Sequence, residues 1–150
     1  MELDLGRIRE RFQLVESNLE RLEWLATHEL AKFVADFRNL EAAKHLLQVS
    51  IEALLDVCSH IVARWRLGAP ADNQETLEVL ARQGLLPADH LQTFLEMNAF
   101  RNRVVHGYMD VDPVRVYEIV GNELGDIRQF IADLEAIVRA GPPRHLNPAP

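Results

Sequence analysis

The chain has 150 residues, 48% hydrophobic and 26% charged, with 7 Gly, 7 Pro and a net charge of −7. These proportions exclude a disordered or collagen-like chain, and a domain of this size buries roughly 70% of its unfolded surface without covalent staples. The single Cys58 excludes an internal disulfide and fits a reducing cytoplasm, no apolar run approaches the roughly 20 residues of a bilayer span, and the charged N-terminus lacks the apolar core of a signal peptide.

Helical periodicity then runs the length of the chain. Leu5, Ile8, Phe12, Val15, Leu19, Leu22 and Ala26 recur at spacings of three and four and predict an amphipathic helix over 3–26. Residues 27–37 predict a short helical turn and a bend, with Asp36 as N-cap of the next element. A second long helix over 37–66 carries its buried stripe on Leu40, Ala43, Leu47, Ile51, Leu54, Cys58, Ile61 and Trp65. Cys58 falls on that stripe and reads as a small core residue. Gly68 and Pro70 stop this helix, and Asp72 or Asn73 caps a short third one over 73–83 that closes at Gly84. Pro87 suits the first turn of a fourth helix over 87–106, which Gly107 closes. Asp112-Pro113 starts a fifth over 113–139, where Tyr117, Val120, Leu124, Ile127, Ile131, Leu134 and Val138 hold heptad spacing. Gly141 and two prolines end it, leaving 141–150 as a disordered tail. Nothing alternates with period two, so the expectation is an all-α, up-and-down bundle of about five helices in one domain over 1–140.

The common catalytic signatures are missing: no phosphate-binding glycine loop, no GxSxG and no HExxH. Among six scattered histidines, His60 has a carboxylate one helical turn earlier, Asp56. Two ligands do not make a metal site, so this pair reads as a hydrogen-bonded couple near a buried face, and no metal is expected. One segment stands apart. MNAFRNRVVHGYMDVDP, residues 97–113, gathers Asn98, Arg101, Asn102, Arg103, His106, Tyr108, Asp110 and Asp112 between two strongly patterned helices. At 100° per residue Asn102 and His106 lie about 40° apart, while Arg101 and His106 lie about 140° apart. One copy therefore aims both groups at one point only if the helix unwinds near Gly107; otherwise two copies must meet across a symmetry axis. The segment is either an ordinary polar helix end or a small acid/base and phosphate-binding site, and spacing alone does not choose.

The string Arg101-Asn102-Arg103-Val104-Val105-His106-Gly107-Tyr108 resembles the Rx4HxY motif of the HepT toxins, members of the all-helical HEPN superfamily. Residues 42–64 resemble that family's long second helix, with polar positions at Glu52, Asp56 and His60, and residues 80–120 read as family-like almost throughout. The resemblance implies a metal-independent endoribonuclease toxin that needs no cofactor, acts on RNA rather than DNA or a membrane, and is neutralised by an MntA-like nucleotidyltransferase antitoxin. It implies a homodimer whose two motifs face one cleft. It assigns His106 as general base or acid in 2′-hydroxyl attack, Arg101 as the grip on the scissile phosphate, and Asn102 and Asp56 as supporting groups, with Glu52 beside them. Tyr108 matches the tyrosine that the antitoxin modifies with AMP.

One feature of charge pulls the other way. Between Glu96 and Asp112, Arg101 and Arg103 stand against Glu96, Asp110 and Asp112, for a local charge of −1. Nonspecific RNA affinity scales with the phosphates neutralised, so this surface should hold RNA weakly or only within a narrow cleft. The competing reading is a noncatalytic HEPN subunit that binds a nucleotide or a nucleotidyltransferase partner; a helical adaptor is a third.

Overall fold

The computed structural model describes residues 2–107 and 111–146. Among these it contains seven α-helices and no strand: α1 (Leu5–Ala26), α2 (Leu30–Ala35), α3 (Phe37–Arg64), α4 (Asn73–Arg82), α5 (Leu91–His106), α6 (Pro113–Asn122) and α7 (Leu124–Ala140). A 3-10 turn, Arg144–Leu146, follows α7. Helix α3 is the hub of the bundle, packed against α1, α4, α5, α6 and α7.

The helices begin where carboxylates satisfy their first backbone donors. Asp36 accepts from Arg38 N–H at 3.0 Å, Asp72 from Glu75 N–H at 2.9 Å, and Asp112 from Val114 N–H at 3.0 Å, with Pro113 as the first residue of α6. Asp4 does the same for α1, a cap the apolar pattern does not reveal. Gly107 closes α5 at φ +63°, a conformation that carries little penalty only for glycine.

Two boundaries differ from expectation. Residues 113–139 do not form one helix. The chain breaks at Glu123, whose φ of −117° and ψ of 7° leave the helical region, within the sequence Gly121-Asn122-Glu123-Leu124-Gly125. Two glycines and an asparagine over five residues favour the helix poorly. The apolar stripe survives the break, since Val116, Val120, Leu124, Ile127, Ile131 and Leu134 are all buried. The fourth predicted helix also starts late. Pro87 O accepts from His90 N–H to form a separate turn, and α5 begins at Leu91.

The core runs through Leu19 and Leu22 of α1, Leu47, Leu54, Cys58 and Ile61 of α3, Leu77 and Leu80 of α4, Phe94 of α5, and Phe130 and Leu134 of α7. Phe94 and Phe130 stack face to face, 4.1 Å apart and 10° from parallel. Cys58 is fully buried, and desolvation raises its thiol far above the usual range, which makes it an inert core residue. A buried polar pair, Asn18 to Ser50 at 3.2 Å, joins α1 to α3, and Tyr117 of α6 donates to His28 O at 2.7 Å across the α1–α2 corner. By length and composition α3 does qualify to cross a membrane, with a mean hydropathy of 1.5 over its most apolar stretch, against the expectation that no run approaches a span. Most of that stretch, 61%, is buried inside the bundle, as a helix covered by neighbours on several sides requires.

Near the start of α5, His90 Nδ1 meets Asp133 Oδ2 at 2.7 Å, and Gln129 donates to the other carboxylate oxygen at 2.8 Å. The bond to Asp133 raises the imidazole above its ordinary value of 6.5. A group whose folded value is raised gives its stabilisation in full below the unfolded value and loses it as pH climbs through the folded one. The urea midpoint should therefore fall as pH rises from just below 6.5 through the raised His90 value. His90→Gln should flatten that part of the profile; an unchanged slope would remove the pair from the pH dependence.

Candidate active site

The motif occupies the last turns of α5. Arg101 leans back onto α3, where its Nε donates to Glu52 Oε1 at 3.0 Å, and its Nη1 donates to Asn102 Oδ1 at 3.0 Å. Gln48, one turn earlier on α3, donates to the same Glu52 oxygen at 3.2 Å. The guanidinium is thus held on two sides while its Nη2 has no protein partner among the described residues. A half-buried pair of this kind contributes little to stability, but it fixes the plane of the guanidinium.

Helix α5 stays regular through His106, and the left-handed turn falls on Gly107. The helix does not unwind before the histidine, so Arg101 and His106 remain about 140° apart on one copy. His106 is exposed in the final turn, next to exposed Val105, while Asn102 is half-buried. Tyr108 lies outside the described residues.

Asp56 is not brought to Arg101. It sits one turn beyond Glu52 on α3 and faces Arg11 of α1, with Oδ2 3.5 Å from Nε. The Asp56–His60 couple read from spacing is absent, because each residue has a different partner. His60 Nε2 accepts the Asp4 N–H at 2.9 Å. Desolvation, helped by Arg64 and Arg7, lowers the His60 imidazole below its ordinary value, which suits the neutral acceptor form. Helix α1 therefore claims both side chains. The α3 residue at the motif is Glu52, and the signal for it was the polar row Gln48, Glu52, Asp56 at four-residue intervals; only the register of α3 against α5 picks out its member. Among the described residues no three His, Cys, Asp or Glu side chains converge as a metal site.

The all-helical bundle carries an arginine and a histidine five residues apart at one helix end, as the resemblance to the HepT toxins implies. The ribonuclease HepT-like family profile matches residues 15–134, and the chain belongs to that family. It is 23% identical over 129 residues to the tRNA nuclease HepT of Aphanizomenon flos-aquae, covering 86% of this chain and 88% of that protein. It is 28% identical over 106 residues to the mRNA nuclease HepT of Shewanella oneidensis, covering 71% and 80%. In fold it is similar to the tri-AMPylated Shewanella oneidensis HEPN toxin solved in complex with the MNT antitoxin. That match has a TM-score of 0.81 at 24% identity and covers 87% of this chain and 98% of the other.

Proposed function

We propose that this HepT-type ribonuclease is the RNA-cleaving toxin of a toxin–antitoxin pair, acting in the cytoplasm as a homodimer and silenced by AMP on Tyr108. The observation that carries the reading is the Arg101 guanidinium, clamped by Glu52 and Asn102 with Nη2 left for a ligand, five residues before an exposed histidine. The names of the two nuclease relatives support an RNA substrate, and the tri-AMPylated toxin with its MNT antitoxin supports both the nucleotidyltransferase partner and the modification.

The chemistry follows from those groups. His106 takes the proton from a ribose 2′-hydroxyl, whose oxygen attacks the adjacent phosphorus. The P–O5′ bond breaks, the 5′-oxygen leaves and takes a proton from solvent, and a 2′,3′-cyclic phosphate remains. Arg101 holds the phosphate oxygens and stabilises the charge that grows on them. The nucleophile is part of the substrate, so these steps require no metal. Two copies facing each other across a two-fold axis supply Arg101 from one protomer and His106 from the other, which answers the 140° separation. Val105 and Val114, each 40% exposed on either side of the motif turn, provide apolar surface for that contact. AMP on Tyr108, two residues after His106 in the chain, adds bulk and negative charge and repels RNA.

The test is a heterodimer of one Arg101→Ala and one His106→Ala protomer, co-expressed with different tags and purified through both. Each homodimer variant should be silent. The heterodimer should keep about half of the parental rate, because one of its two composite sites is intact. A silent heterodimer beside an active parent would contradict the shared site.

A further inference from the structure

Helices α3, α5, α6 and α7 enclose a cavity of about 350 Å³ that the cleavage chemistry does not use. That volume falls at the lower end of the ~300–1,000 Å³ typical of small-ligand pockets. Its floor is apolar, formed by Leu47, Ile51, Phe100 and Ile127, all buried. Its rim carries Arg103 and Arg115 together with Glu96, Glu123 and Asp126.

Most of these rim charges are already engaged. Arg115 is bound by Glu123 and approached by Glu118, and Glu96 accepts from Gln92. Two remain. Among the described residues the Asp126 carboxylate accepts no hydrogen bond, and Arg103 donates none, its guanidinium standing 5.9 Å over the Phe100 ring. Burial, with Glu123 and Glu96 nearby, pushes the Asp126 carboxyl above its ordinary value of 3.8.

An apolar slot with one unpaired carboxylate and one unpaired guanidinium fits a flat heterocycle that offers two adjacent donors on one edge and two acceptors on another. Guanine is the base with that pattern. Its N1–H and N2–H2 can both reach one carboxylate, and its O6 and N7 accept a guanidinium fork. Adenine, cytosine and uracil lack the paired donors.

The position relates the cavity to the cleavage site. Ala99 and Arg103 line it, and His106 follows them at positions i, i+4 and i+7 on the same stripe of α5. His106 thus lies roughly 4.5 Å beyond Arg103 along the helix axis, about the reach of a neighbouring nucleotide. We propose that this cavity is a guanine-binding subsite through which the ribonuclease selects its RNA, a proposal that rests on the ribonuclease reading above.

The probe is 5′-GMP, titrated into the parental dimer and followed by methyl and amide NMR against 5′-AMP, 5′-CMP, 5′-UMP and 5′-IMP. Shifts should centre on Phe100, Ile119 and Ile127, and GMP should bind about tenfold or more tightly than AMP, CMP and UMP. IMP, which lacks the N2 amine, should fall between. Asp126→Asn and, separately, Arg103→Gln should erase the GMP preference without changing the thermal midpoint. His106→Ala should abolish RNA cleavage yet leave GMP binding intact, so that loss of the ribonuclease reading and loss of the subsite register separately. Equal binding of GMP, AMP, CMP and UMP, shifts confined to Arg101–Gly107, or an undiminished GMP preference in both cavity variants would overturn the proposal.

Discussion

Under the proposed mechanism, alanine at position 106 should lower the rate of RNA cleavage about 10²- to 10⁴-fold, the usual contribution of a positioned acid–base group. The fold is untouched, because His106 is exposed in the last turn of α5 and belongs to no part of the core. Circular dichroism and the thermal midpoint of His106→Ala should match the parent while turnover collapses. Arg101→Ala should cost about 10²- to 10³-fold, through loss of the groups that hold the developing phosphate charge. The proposed mechanism puts both groups in one transition state, so the two losses should not add when combined. A His106→Ala protein that folds like the parent and cuts RNA at the parental rate would exclude the histidine from the chemistry.

The largest effect on stability falls elsewhere. Phe94 is 1% exposed and stacked on Phe130, so Phe94→Ala should cost about 3–5 kcal/mol from lost transfer energy and the cavity left behind. For a chain of this length each kcal/mol moves the thermal midpoint by roughly 2–4 °C. Trp24→Ala provides the contrast. Trp24 is 63% exposed and touches the His28 ring edge-on, so its loss should stay within about 0.5 kcal/mol. Comparable midpoints for the two variants would show that the aromatic stack does not organise the bundle.

The sequence discloses this fold wherever the determinants are local. Asp36, Asp72 and Asp112 cap helices as their side-chain chemistry demands, and Gly107 closes α5 in the left-handed conformation its position suggested. The breaks at Glu123 and before Leu91 were hidden for opposite reasons. Across Glu123 the heptad stripe continues, so periodicity reports one helix where the backbone makes two. Before Leu91 a proline that suits a first helical turn instead closes a separate turn, with His90 turned to Asp133 on α7.

The candidate site divides in the same way. Arg101, Asn102 and His106 share one helix, so their angular relation could be computed from spacing, and it holds in the structure. Their partners on α3 depend on the register between two helices, which no local pattern encodes. Glu52 and Asp56 are one turn apart and chemically similar, yet α5 meets the first and α1 meets the second. The same holds for His60, whose acceptor nitrogen is taken by the backbone of Asp4, 56 residues away. The unpaired Asp126 and Arg103 were invisible too, because a cavity is a property of four helices and not of any one of them.

The measurement that tests the central claim most directly is cleavage of total RNA by the parental protein. It should be purified without any nucleotidyltransferase partner, shown by mass spectrometry to carry unmodified Tyr108, and assayed with chelator present. The account predicts fragments ending in 2′,3′-cyclic phosphate and 5′-hydroxyl groups, formed at the same rate with and without chelator. Intact RNA after incubation with that unmodified protein, or cleavage that the chelator stops, would contradict it.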